Sequence, residues 1–499
     1  MTQHVRLGRD TLAQLPAAVE RPAIIPADIG IVHLGLGAFH RAHQAIYTDD
    51  ALAAASGPWG IAGVSLKSRG VRDRLREQDG FYTAIEKSTE GTHRRIVGSL
   101  RASLFLADDR DAVMRHLVAP TTTIVTLTIT EKGYCHDPAT GALDLSHPDI
   151  AHDLSDDRRL RESPVSATGL ICAALDQRRR THGTPVTFVS CDNLPSNGKV
   201  LRRLVLSHAD AMDESLAQWI DGQCAFPSTM VDRIVPATTD ADIAENDTAL
   251  NRHDAAPVVF EPYRQWVIED AFAGPRPRWE AGGAQFVDDV APFELLKLRM
   301  LNGSHSAMAY LGYLAGHSYI YEVSRDPRFE RFISGLWDES GTTLQSLSGV
   351  DLAVYRQGLW SRYGNAALPH RTWQIAMDGS QKLPQRLLNP VRDRLRAGAS
   401  IEHLALAIAG WMRYVRGIDE GRSAIEVRDP LASRFAAIAA ESGGDLQAFG
   451  CGLLAIRAIF GDDLVDDPRF VEPVLRWHRS IEIEGVRAVL DTHFAGQQR

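Results

Sequence analysis

A lysine, an asparagine and a histidine stand at 297, 302 and 305 in KLRMLNGSHSAMAYLGYLAG (297–316), an otherwise apolar stretch. On an α-helix at about 100° per residue, Lys297, Asn302 and His305 fall at roughly 0°, 140° and 80°, so they share one broad face. Lysine is rarely buried alone, and a polar trio inside an apolar segment points to convergence on a cleft. A lysine shielded from water has its ammonium form disfavoured and can take a proton at neutral pH. That property removes a hydroxyl proton as hydride leaves, or returns it as a carbonyl is reduced. An asparagine beside it can stabilise the developing alkoxide. The competing reading is an amphipathic helix whose polar face meets solvent, and the segment taken alone leaves both open.

A second chemical signal lies near the N-terminus. The apolar run GIVHLGLG (30–37) ends in Gly35-x-Gly37. Two glycines permit a tight turn and close approach of a pyrophosphate at the start of the following helix. The third glycine of that pattern is absent, because the position holds His40. An ordinary strand–helix turn is the alternative. After the next strand comes LKSRG (66–70), with no acid before Asp73 to hold a ribose hydroxyl. Lys67 and Arg69 either meet a 2′-phosphate or are solvated loop cations, so NAD is expected and NADP is possible.

These groups need a framework. Strand-like runs at Gly30–Gly37, Trp59–Leu66, Thr122–Thr130 and Val186–Cys191, with a weaker one at Arg95–Leu100, alternate with helical patterns at Phe39–Ala55 and Ala167–Arg180. Such alternation predicts an α/β fold with a parallel sheet covered by helices on both faces. After about residue 285 helical patterns dominate: Phe293–Gly312, Phe329–Leu336, Pro384–Ala397, Ile401–Arg416 and Phe435–Phe460. The expected division is a Rossmann-type dinucleotide-binding domain over 1–285, then a mostly α-helical substrate domain over 286–499. The Pro/Gly-rich Gly274–Gly283 is a linker or a long loop.

Composition sets the outer limits. The 499 residues carry 54 basic and 63 acidic side chains, a net charge of −9. That balance makes nucleic acid and anionic membrane poor partners. Residues 1–10 lack the apolar core of a secretory signal, and no run approaches the ~18 apolar residues of a membrane span, so a cytoplasmic protein is expected. Five cysteines without a Cys-x-x-Cys indicate neither a disulfide framework nor a structural zinc. Zinc-dependent alcohol dehydrogenation lacks its ligand cluster, and no tyrosine stands four residues before a lysine, as the short-chain design requires. No metal site is expected.

Taken together, the blocks IVHLGLGAFHRAHQ (31–44), TLTITEKGYC (126–135), SCDNLPSNG (190–198), FPSTMVDRIVPAT (226–238), EPYRQWVIED (261–270), KLRMLNGSH (297–305) and DGSQKLPQ (378–385) resemble the polyol-specific long-chain dehydrogenases, the mannitol dehydrogenase family. The resemblance runs from about Ile31 to about Phe470. It implies a Rossmann-type N-terminal domain, a helical C-terminal domain, an active site between them and metal-free hydride transfer with a nicotinamide cofactor. By the same resemblance Lys297 is the general acid/base, Asn193 and Asn302 form the oxyanion-stabilising pair, and His305 binds substrate hydroxyls. Asp232 orients the substrate or its neighbours, and Lys382 reaches the substrate from the C-terminal domain. Gly35, Gly37 and Phe39 cradle the cofactor, and His40, Arg41, Lys67 and Glu131 join that set. Members of the family are often monomers.

Within the family the chain most resembles the fructuronate reductase (D-mannonate oxidoreductase) branch. Glu131 is followed by Lys132 where polyol members tend to have glycine, and RTWQIAMDGSQKLPQRLL (371–388) is similar to the sugar-acid branch. Gln374 stands where polyol enzymes carry an arginine, with Arg371 nearby. The physical reading is that Lys132 or Arg371 supplies a cation for a substrate carboxylate that mannitol lacks; the alternative is that both are solvated or pair with protein acids. The expected activity is interconversion of D-fructuronate and D-mannonate. Its nearest rival is a polyol 2-dehydrogenase acting on mannitol or arabinitol, and a more distant one is a nucleotide-binding regulatory protein without catalysis.

Overall fold

Apolar, β-branched runs in the first half fold as strands buried on both faces, which suits a parallel sheet covered by helices. The computed structural model describes residues 5–137, 140–347 and 349–494. Its strands are β1 (Ile29–Leu34), β2 (Gly60–Ser65), β3 (Tyr82–Ser88), β4 (Gly91–Val97), β5 (Leu100–Phe105), β6 (Ile124–Leu127), β7 (Thr187–Ser190), β8 (Thr229–Asp232), β9 (Val258–Phe260), β10 (Gln265–Glu269) and β11 (Gln285–Val287). Five strands form one sheet in the order β5-β2-β1-β6-β7. All four pairings are parallel, with His33 opposite Thr126 and Leu34 opposite Leu127 between β1 and β6. The chain winds outward from β1 in one direction, then crosses back to β6 and winds the other way. The ends of β1 and β6 are therefore the point where strand order reverses, the usual ligand crevice of an open α/β sheet.

Alternate residues of β1 serve two cores. Val32 and Leu34 pack with Leu170, Ile171 and Leu201 on one side, while Ile31 packs with Tyr47, Trp266 and Trp279 on the other. Two three-stranded sheets, β11-β10-β8 and β4-β3-β9, complete this half. The expected strand Arg95–Leu100 is corrected here: residues 95–97 close β4, Leu100 begins β5, and the two belong to different sheets. The turn between them is fixed by buried Asp49, which accepts from the N–H groups of Gly98 and Ser99.

The chain divides into two compact units, 1–291 and 292–499. Among the described residues the second contains helices and no named strand. At its centre lies Glu402–Val415, in which every residue from Leu404 to Val415 is buried; it packs against Gly303–Leu314 and Pro468–Glu484. The expected helix Phe293–Gly312 is interrupted: Ala291–Leu296 is α-helical, Lys297–Asn302 is a π-helix, and Gly303–Leu314 is α-helical again. A second π-helix, Pro384–Leu388, precedes the α-helix Asn389–Arg396. Phe435–Phe460, expected as one helix, spans three, and the first ends before Gly443 and Gly444, both at positive φ. Among the described residues no helix is long and apolar enough to cross a membrane.

Candidate active site

The first unit builds the glycine turn at the end of β1. Gly35 has φ +103°, and a Cβ there would lie 2.1 Å from the Thr128 carbonyl oxygen, so the turn requires glycine. Gly37 is the N-cap of helix Ala38–Ala42. A Cβ at Gly37 would meet only the Gly35 carbonyl oxygen, at 3.6 Å, and the first-turn N–H groups of a helix have no intrahelical acceptor. Open space before free donors fits a pyrophosphate. His40, in place of the third glycine, stacks on His33 at 3.4 Å and is buried. His33 in turn bonds Thr126 Oγ1 at 2.7 Å. Arg41 is also turned inward, donating to the Ala256 carbonyl and lying over the Tyr82 ring. His40 and Arg41 therefore shape the turn from behind with their side chains, and half-buried Phe39 stacks on His43 at its edge. The expected helix Phe39–Ala55 breaks at His43.

After β2, Lys67 is exposed, whereas Arg69 pairs with Asp108. Beyond β6 the chain turns through a short 3₁₀ segment, Glu131–Tyr134, with Glu131 and Lys132 both exposed. Buried Asp192 holds this turn, accepting from Ile129 N (3.1 Å), Thr130 N (2.7 Å) and Tyr134 Oη (2.8 Å). Burial raises the Asp192 carboxyl pKa, against those three hydrogen bonds. Asn197 clasps the other side, donating to the Asp192 and Thr229 carbonyls and accepting from Thr229 N. Exposed Asn193 sits between these two anchors, and Asp232, buried, ends the neighbouring β8. Neither Asp192 nor Asn197 carries a chemical signal of its own in the sequence beyond its place inside SCDNLPSNG.

In the second unit Lys297 and Asn302 are half-buried at the two ends of the π-helix, and His305 follows one turn on. His305 stacks on Tyr363 at 5.4 Å, with the His370 ring 6.0 Å away. The Nε2 atoms of both histidines are buried without a hydrogen-bond partner among the described residues. Burial pushes the His305 imidazole well below its usual range, with repulsion from His370, Arg386, Arg362 and Lys382 adding to it. His370 is lowered to about 4 by burial and by Arg362. Two uncharged imidazoles with open nitrogens, each able to donate or accept, suit the hydroxyls of a sugar chain. Burial, then Arg386, lowers Lys382 to about 8, opposed by Asp378 and Asp429. Its Nζ donates to the Ile375 and Met377 carbonyls at 3.2 and 2.5 Å.

Arg371 lies apart from this group in its contacts: it is exposed and stands over the Tyr319 ring. His370 and Arg386, by contrast, were missed from sequence, because they come from separate segments without a periodic spacing. Elsewhere in the first unit, Cys135, His147 and Asp149 bring donor atoms within 4.8 Å of one another, with His147 Nδ1 already accepting from Asp149 N. All five cysteines are free thiols.

Comparison with known proteins places this architecture. The mannitol dehydrogenase Rossmann domain matches residues 29–281 and the mannitol dehydrogenase C-terminal domain matches residues 289–481. The chain is 46% identical over 462 residues to D-mannonate oxidoreductase of Escherichia coli (strain K12), covering 92% of this chain and 94% of that one. It is also 46% identical over 466 residues to the uncharacterized oxidoreductase YeiQ of the same organism, covering 93% and 94%. Among solved structures, the Pseudomonas fluorescens mannitol 2-dehydrogenase ternary complex with NAD and D-mannitol superposes with a TM-score of 0.84 at 37% identity, covering 99% of this chain and 100% of that one. A strand–glycine–helix turn at the sheet's reversal point and a lysine–asparagine–histidine helix thus occur together in an oxidoreductase, and the chain belongs to the mannitol dehydrogenase family.

Proposed function

We propose that the chain interconverts D-fructuronate and D-mannonate with NAD(H). The observation that carries this reading is the group around His305: two neutral imidazoles beside the cations Lys382 and Arg386, a setting suited to a polyhydroxylated substrate bearing a negative charge. Similarity along the whole chain to a D-mannonate oxidoreductase supports it.

In this reading a nicotinamide cofactor, when bound, would supply or accept the hydride. The chain's residues do the rest. Lys297 Nζ delivers a proton to the carbonyl oxygen during reduction and withdraws it during oxidation. Asn193 and Asn302 donate hydrogen bonds to the oxygen as it gains negative charge. His305 engages substrate hydroxyls, Asp232 orients the substrate or the groups around it, and Lys382 adds positive charge. The N–H groups after Gly37 receive the cofactor pyrophosphate, with Gly35 and Phe39 shaping that turn. Lys67 and Glu131, on the loops after β2 and β6, would help hold the cofactor.

A second reading is favoured by the likeness to a mannitol 2-dehydrogenase bound to D-mannitol: reduction of a neutral ketose. Steady-state rates with NADH and NADPH on fructuronate, tagaturonate and fructose, measured side by side, separate the two. Fructuronate with NADH is the expected best pair. A preference for fructose would replace the sugar-acid reading with the polyol one.

A further inference from the structure

We propose that Arg386 is the residue that receives the substrate carboxylate, in place of Lys132 or Arg371; the proposal rests on the sugar-acid reading above and deepens it.

Arg386 lies in the second π-helix, Pro384–Leu388. That turn packs directly on the first: a Cβ at Gly303 would lie 3.0 Å from the Arg386 carbonyl oxygen. The Arg386 side chain reaches the α-helix Gly303–Leu314 that follows the first π-helix, where Nη1 donates to Ser306 Oγ at 3.1 Å, one residue beyond His305. The residue is half-buried, and its guanidinium is the more shielded part.

What sets Arg386 apart is how little answers its charge: among the described residues buried Arg41 and Arg178 also lack an acid, but each donates to more than one backbone carbonyl. Arg299, on the same polypeptide stretch, pairs with Asp393 at 2.6 Å. Arg413, in the central helix, pairs with Glu482 at 3.1 Å. Among the described residues Arg386 makes one hydrogen bond, to a neutral hydroxyl, and no ion pair. Its electrostatic neighbours of opposite tendency are the phenols of Tyr310 and Tyr363, and burial raises that of Tyr310 above its ordinary value. A shielded guanidinium without an anion is costly, and a fold retains one most readily where a ligand completes it. The planar fork of N–H donors matches a carboxylate, which takes two parallel hydrogen bonds.

The earlier candidates fit this role less well. Arg371 is exposed over Tyr319. Lys132 is exposed on the turn after β6. Lys382 already gives hydrogen bonds to two carbonyl oxygens and is a point charge, so it adds field without the fork.

The test compares wild type with Arg386→Gln and Arg386→Lys, each first shown to keep the wild-type melting temperature and NADH affinity. Kinetics are followed on fructuronate and on fructose, and competitive inhibition by D-gluconate is set against that by mannitol. Loss of a bidentate charge-assisted contact should lower kcat/KM on fructuronate about 100-fold in Arg386→Gln, mostly through KM. Arg386→Lys should recover part of this, and kcat/KM on fructose should fall far less than on fructuronate. Unchanged fructuronate KM in both variants overturns the role of Arg386 and leaves the sugar-acid reading standing. If wild type does not reduce fructuronate but binds gluconate through Arg386, the carboxylate site stands and the reaction assigned to it falls. If wild type neither reduces fructuronate nor binds gluconate, both are overturned. Should Arg386→Gln not fold, Arg386→Lys alone decides, since a point charge in place of the fork should still raise the fructuronate KM several-fold.

Discussion

Lys297 and Asn302 bracket a single π-helical turn, closed by a hydrogen bond from the Gly303 N–H to the Leu298 carbonyl. On a regular α-helix residues five apart diverge by about 140°. A turn closed by i→i+5 bonds winds five residues through little more than one revolution, so the two backbone positions come much nearer to one line. The wide turn therefore gathers onto one edge two residues that α-periodicity spreads apart. Such turns are rare and occur often at functional sites.

Replacement of Lys297 by alanine tests the role assigned to it. Turnover should fall by roughly 10²- to 10⁴-fold, the usual worth of a positioned acid/base group. NADH affinity, read by fluorescence titration, should stay close to wild type. Wild-type-like rates in Lys297→Ala would end the assignment.

The glycine turn yields a prediction about binding. Gly35→Ala forces a residue with φ +103° to carry a Cβ 2.1 Å from a backbone oxygen. Displacement of the turn should cost about 2–3 kcal/mol of stability in urea titrations and weaken NADH binding at least tenfold. A dissociation constant within twofold of wild type would show that the turn does not set cofactor affinity.

Acid should destabilise the protein from pH 6.5 downward. Burial lowers His33 and His43 to about 3 and His370 to about 4. Between those values and the unfolded value near 6.5, the unfolded chain binds protons that the folded chain refuses. Stability therefore falls as pH falls, by up to about 1.4 kcal/mol per pH unit for each histidine. Asp49, raised to about 6 by burial, acts in the opposite sense between about pH 3.8 and 6. Burial raises Asp192 and Asp254 in the same sense as Asp49, and lowers His40, His305 and His478 in the sense of the other histidines. The histidines outnumber the carboxyls, so the urea midpoint should drop between pH 6.5 and 4; a flat profile would contradict this balance.

At the alkaline end, Lys382 is held at about 8 by burial and by Arg386. It is charged at neutral pH and loses that charge above pH 8. KM for fructuronate should rise across this range while KM for fructose stays level, and Lys382→Met should abolish the step. Persistence of the step in Lys382→Met would move its origin to another group.

The sequence carried the central sheet well because β1, β2, β6 and β7 are buried along nearly their whole length and read as unbroken apolar runs. The hairpin β3–β4 was hidden for the opposite reason. Its tip, Glu86 to Arg94, is polar and partly solvent-facing, so only the apolar ends registered, and Arg95–Leu100 was read as one strand across a turn. Lys297, Asn302 and His305 stood out as polar residues in an apolar stretch. The π-helix that re-aims them left no such trace, since it changes winding without changing composition. His370 and Arg386 join His305 through tertiary packing, which spacing along the chain cannot encode; within 371–388 nothing in residue type separates exposed Arg371 from half-buried Arg386.

The π turn at 297–302 also bears on engineering. It holds one residue more than a uniformly wound rod of the same reach needs, and removing that residue would give tighter, better-aligned amide bonds. A campaign selecting for heat tolerance alone will therefore be drawn toward deletions in this span, and the survivors will be sturdy proteins whose lysine and asparagine no longer face the same way. Libraries meant to toughen this enzyme should keep the length of that segment fixed and look for their gains elsewhere.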